Sequence, residues 1–295
     1  MKRLVILLIL PLFMLALYAI NARAGDLKYD ENEFKDAKKI ASKILKNDIK
    51  KLKKLNVKKL IIFECYGDFT TSKEVTSGGW TSSRSQSVTS DYYTYTADRV
   101  YDIIKSVFEE NGIEIVSKDI LAANPVYQDF NLKEQKESKT YQNGVFRPEV
   151  KTEGQKISAT GLGIYSNNVI ESLKVLGKLG PITADIKADG ILHIKFAIGI
   201  GKKFAPVLTS FDILLNADLR AREYGFKGNK KIAYDFYTQN APIMNLKTPI
   251  INTADIAGKE KGAIDMDKYD KALMDMINGV FSAYRETLKE GLSEK

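Results

Sequence analysis

Between Ile191 and Thr238 the hydrophobic pattern keeps a period of two through three successive segments. Ile191, His193 and Lys195 alternate with Leu192, Ile194 and Phe196, and Gly199 and Gly201 punctuate the end of that run at Ile200. From Ser210 to Tyr224, Phe211, Ile213, Leu215, Ala217, Leu219 and Ala221 share one face. Lys231 to Thr238 follows a turn at residues 225–230. Such alternation sends successive side chains to opposite faces of a sheet, so the pattern predicts a three-strand antiparallel meander.

Upstream the pattern changes. Leu60-Ile61-Ile62-Phe63-Glu64-Cys65-Tyr66 is a short apolar run between Lys58-Lys59 and Gly67-Asp68, which predicts a buried strand. A helix is expected from Thr96, with Val100, Ile103, Ile104, Val107 and Phe108 as its stripe and Asn111-Gly112 as its end. Ile113–Val116 reads as a short strand, and Ser117 caps a brief helix that closes before Pro125. Residues 31–56 carry apolar positions at helical spacing among lysines, so 25–56 is expected to form a basic amphipathic helix. Further helices are expected near Val169–Leu176 and near residues 264–290. Two polar stretches interrupt the pattern. Thr70–Tyr95 is rich in Ser and Thr and reads as a long hairpin or loop, and residues 130–160 read as a loop or insertion.

The resulting fold class is α/β (α+β): a mixed sheet of strand–helix units followed by the meander, with helices packed on the sheet. Residues 57–295 are expected to form a single domain.

The N-terminus reads Met1-Lys2-Arg3, an apolar run from Leu4 to Ile20, then Ala22-Arg23-Ala24. A positive end, an apolar core and an Ala-x-Ala exit are the parts of a secretory signal, so residues 1–24 are expected to be cleaved. The product would be periplasmic or secreted. The chain's net charge is +8, and Lys2, Arg3 and Arg23 lie in the leader, leaving about +5. Cys65 is the only cysteine, so no internal disulfide can form, and its apolar setting predicts burial.

The residues offer little chemistry. The single histidine, His193, sits in a strand with no second histidine or cysteine partner, so no metal site is expected. No Gly-x-Ser-x-Gly string and no complete phosphate loop occur, and no cofactor is expected. Glu64 and Asp68 flank the end of the first strand, where ligands collect in open α/β sheets, and form a candidate surface site. Trp80, Tyr92, Tyr93 and Tyr95 are aromatics in polar sequence and are candidate partner-contact residues. The lysine-rich helix is a candidate contact for an anionic membrane surface. The basic stretch lacks interleaved aromatics, which argues against nucleic acid.

The segments LIIFECYGDF, TADRVYDIIKSVFEENGIEIVSKDIL and ADGILHIKFAIGI, with the meander behind them, form a recognisable order. It resembles the α/β domain shared by the N-terminal part of TolB, the curli secretion channel subunit and lipoprotein activators of penicillin-binding proteins. The likeness covers residues 57–240, with Ala188-Asp189-Gly190-Ile191 at the entry to the meander. It implies a non-enzymatic envelope protein that works through contacts. The chain departs from the curli and activator lipoproteins in lacking a lipidated cysteine, and its first insertion lacks the alternating apolar face that a membrane-spanning hairpin requires. The expectation is an exported, envelope-associated binding or assembly protein without catalysis, whose partner is an envelope protein or cell-wall component. The alternatives are an exported hydrolase using carboxylates or a peripheral membrane-surface protein.

Overall fold

A computed structural model describes residues 27–142, 148–165, 169–224, 230–259 and 263–293. The leader, residues 1–24, lies outside the described residues.

The spine is strand β3, Lys59–Ser77. Its first half is apolar because it is covered on both faces, as expected of a strand in a parallel pair. β8 (Gly190–Ile200) runs parallel to it, from Leu60 beside Gly190 to Phe69 beside Ile198. β9 (Pro206–Tyr224) and β10 (Lys231–Leu246) follow antiparallel and complete the meander. On the other flank β5 (Glu114–Ile115) pairs parallel with the start of β3, and β7 (Glu149–Ser158) pairs antiparallel from Tyr66 onward. β6 (Gln135–Gln142) lies outside β7. The sheet is therefore mixed, and helices pack on both of its faces.

One face carries helix α4, Ser90–Glu109, and helix α8, Met266–Ser293. Phe69 stacks on Tyr93 of α4 at 4.2 Å, and Phe211 meets Phe281 of α8 edge-on at 5.0 Å. The other face carries α6 (Pro125–Gln128) and α7 (Val169–Ile186). Tyr127 of α6 meets Phe63 edge-on at 5.3 Å. The intervening α5, Lys118–Ala122, is capped by Ser117 as its sequence predicts.

The N-terminal segment differs from the single helix its periodicity suggests. It forms β1 (Leu27–Lys28), α1 (Glu31–Phe34), α2 (Ala37–Ile44), β2 (Leu45–Lys46) and α3 (Lys50–Lys54). Asp36 caps a new helix by accepting from the Lys39 N–H, and Leu45–Lys46 extends to pair with Leu246 and Asn245 of β10. The apolar stripe survives because the pieces still lean on α8: Ile40, Ile44 and Leu52 are all buried. β1 joins β11, Ile250–Ile251. Among the described residues no helix is long and apolar enough to cross a membrane.

Both polar insertions are mostly sheet, and the first runs into α4 at Ser90. β3 continues to Ser77 and turns back as β4, Trp80–Ser85. Gly78 and Gly79 have φ of 57° and 82°, the positive values a two-residue hairpin turn of the primed class needs. Residues 130–160, expected as a loop, contain the β6–β7 hairpin. Side chains there are polar on both faces, so no alternation marks the strands. β4, β3, β7 and β6 together form a projecting polar blade.

Candidate functional site

Beyond residue 62 a bulge lets Glu64 rather than Phe63 pair with His193 of β8. Both Phe63 and Glu64 then reach the second face of the sheet. His193 alternates with Ile194 and Phe196, which face the other way, and its ring lies 5.6 Å from Phe63. Its Nδ1 is 3.1 Å from Glu64 Oε1, and its Nε2 is 3.3 Å from Asn216 Nδ2. In the neutral ring Nδ1–H donates to Glu64 and Nε2 accepts from the Asn216 amide.

Glu64 has two more partners. Lys195 Nζ is 3.2 Å from Oε1, and the Tyr165 backbone N–H donates to Oε2 at 3.0 Å. Burial alone pushes such a carboxyl up. The His193 hydrogen bond and charge, with Lys195 and the Tyr165 N–H, outweigh it and hold Glu64 below its ordinary value. Glu64 has no solvent exposure at all. It is therefore a filled, satisfied acceptor rather than part of a surface site.

The next row along the sheet is also polar. Tyr66, Lys195, Asp212 and Asn245 pair in register across β3, β8, β9 and β10. Lys195 Nζ lies 5.7 Å from the Tyr66 ring centroid, and Asn245 donates to Asp212. Burial pushes the Tyr66 phenol well up, and the nearby Glu64, Asp68 and Asp212 charges add to it.

Above that row the sheet opens. A groove of about 570 Å³ is lined by residues including Asp68, Thr70, Ser138, Thr152, Thr209 and Lys247. Asp68 accepts from Ser138 Oγ at 2.6 Å. It lies within a strand, not in a turn, and it faces the groove. The two carboxylates of the expected site are thus separated: Asp68 opens onto the groove, and Glu64 is sealed beneath it.

The four aromatics also separate. Trp80 stands at the tip of the β3–β4 hairpin and is 85% exposed. The three tyrosines belong to α4, which starts at Ser90 behind the Thr89 cap, six residues before the expected Thr96. Tyr93 is fully buried against Phe69, and burial raises its phenol to about 12. Tyr92 donates to Asp270 of α8 at 2.7 Å. Tyr95 is exposed beneath the Arg99 guanidinium, 4.3 Å from its ring centroid. Tyr92 and Tyr93 are therefore packing residues, and the contact cluster reduces to Trp80, with Tyr95 on another element.

Sequence reasoning overlooked Tyr141. It is 55% exposed on β6, opposite Lys151 of β7 and near the same end of the blade as Trp80. Its isolation in a Lys/Glu/Gln-rich stretch was the available signal.

Comparison with known protein families, curated sequences and solved structures finds no match. No group of three or more metal-ligating side chains converges among the described residues. Function therefore rests on the geometry above.

Proposed function

We propose that this chain is an exported, envelope-associated protein that acts by binding and assembly and performs no reaction of its own. The observation that carries this reading is Trp80, 85% exposed at the tip of a hydrogen-bonded hairpin. A large aromatic ring held in water on a tight turn is the arrangement of a contact residue. Tyr141 is exposed toward the same end of the blade, on its opposite outer strand. The sealed surroundings of Glu64 favour a binder over a hydrolase, because an acid or base must reach substrate or water. A protein of the envelope or a cell-wall component is the partner this location supplies.

Export rests on the leader sequence, and its product begins at Gly25. Intact mass of the protein recovered from the envelope tests this, and a retained Met1 overturns it. The contact is tested with a photoreactive residue in place of Trp80. Irradiation of cells yields one discrete cross-linked species, whereas the same probe at exposed Lys187 yields none. A species at Lys187 and none at Trp80 removes the basis for the hairpin contact.

A further inference from the structure

We infer that the lysine-rich surface formed by residues 38–59 docks on an anionic lipid bilayer. The charge of the chain is concentrated there. From Lys38 to Lys59 the sequence has ten lysines and one acid, Asp48, for a net of +9. The leader accounts for a further +3 of the total +8, so all remaining residues together sum to −4. The protein is not uniformly basic; it is a slightly acidic body with one strongly positive edge.

The fold keeps that edge in solvent. Ile40 and Ile44 of α2 are fully buried and Leu52 of α3 is 1% exposed, which turns Lys39, Lys46, Lys53 and Lys54 outward. Four lysines of the same stretch have acidic partners: Lys43 with Glu33, Lys51 with Asp48, Lys38 with Glu290 and Lys59 with Glu114. Among the described residues, Lys39, Lys46, Lys53 and Lys54 have no carboxylate within ion-pair distance. Lys247, just past the end of β10, extends the edge and donates to the Ser42 carbonyl at 2.7 Å.

The chemistry selects the partner. Residues 38–59 contain no arginine and no aromatic. Without guanidinium forks or stacking rings the surface lacks the bidentate groups that orient on a single phosphate and the rings on which bases stack. It matches a diffuse sheet of negative charge, and a bilayer of anionic head groups presents one. Because the apolar stripe is occupied by α8, attachment is electrostatic and does not insert. Salt should reverse it.

The test uses the full chain as recovered from cells and co-sedimentation with vesicles. One set is phosphatidylcholine; the other is equimolar phosphatidylcholine and phosphatidylglycerol. Binding is expected to the second set, and to fall steeply with added salt. Each surface lysine contributes about fivefold to such partitioning, so K39Q, K46Q, K53Q and K54Q combined should weaken it by roughly a hundredfold or more. A control with K133Q, K187Q, K202Q and K231Q changes net charge equally at exposed sites elsewhere and should lose only a few fold. Circular dichroism reports that both variants fold. Partitioning onto phosphatidylcholine alone reads any apolar contribution of the leader, and neither variant should change it. Equal loss in both variants, or binding that ignores phosphatidylglycerol, overturns the proposal. So does retention on a polyphosphate resin without vesicle binding, which would assign the edge to a soluble polyanion.

Discussion

Glu64 and His193 face each other across the parallel pair β3–β8, Oε1 to Nδ1 at 3.1 Å, with Glu64 sealed from solvent. Lys195 approaches the same oxygen at 3.2 Å, so the carboxylate joins two side chains of one strand to a third on another.

This pair makes stability depend on acidity. The folded Glu64 carboxyl lies below its ordinary value of 4.5, so the ionised form favours the fold. That contribution is complete above 4.5 and is lost as pH falls below it, through the folded value. Glu64→Ala removes the buried acceptor that Lys195 and His193 share and should cost about 3–5 kcal/mol at neutral pH. Glu64→Gln should be less stable than the parent at neutral pH and lose less on acidification. Urea denaturation across the acid range measures both, and parallel acid limbs for parent and Gln variant would count against the assignment.

Trp80 and Tyr93 should behave oppositely on truncation. Trp80→Ala removes a ring that packs on little and should shift stability by no more than about 0.5 kcal/mol. Tyr93→Ala empties a buried site stacked on Phe69 and should cost about 3–5 kcal/mol. Thermal melts of the two variants decide this, and equal effects would return both residues to one environment.

Cys65 should resist thiol reagents in the native protein. It has no exposure, and burial pushes its thiol far up, leaving almost no thiolate at neutral pH. A chromogenic disulfide reagent should react slowly with the folded chain and promptly in denaturant. Prompt native labelling would be incompatible with a central β3.

Two glycines of α7 should respond with opposite signs. A Cβ on Gly180 would lie 2.2 Å from the Tyr234 carbonyl oxygen, backbone that cannot yield without moving β10. Gly180→Ala should cost about 1–3 kcal/mol. Gly177 meets nothing within 4 Å, so Gly177→Ala should stabilise the helix by about 0.5–1 kcal/mol. Denaturant midpoints of the two single variants test the packing of α7 on the sheet.

The sequence made elements legible where burial is one-sided or complete. Leu60–Tyr66, the meander and the last helix all carry their apolar pattern openly. The outer half of β3, with β4, β6 and β7, does not, because most of its side chains are polar and at least partly exposed, so no apolar face marks the strands. The early start of α4 was available in principle: Tyr93, Ala97, Val100 and Ile104 follow helical spacing, but the Ser/Thr-rich run before them hid it. The division of residues 31–54 into three helices depends on caps at Asp30 and Asp36 and on pairing with β10. The Glu64–His193 pair joins positions 129 residues apart, and only a bulge brings them opposite. No local spacing rule encodes such a meeting.

The packing of α2 and α3 against α8 also sets an order of events. The first described helices have their apolar stripe covered by α8, with Gly291 reaching Ile49. A chain emerging from its N-terminus first has no surface on which to seat Ile40, Ile44 and Leu52 until residues 266–293 have followed. While the residues between α3 and α8 are made, those side chains must wait, kept in solution by the lysines between them. The arrival of α8 is what closes over them.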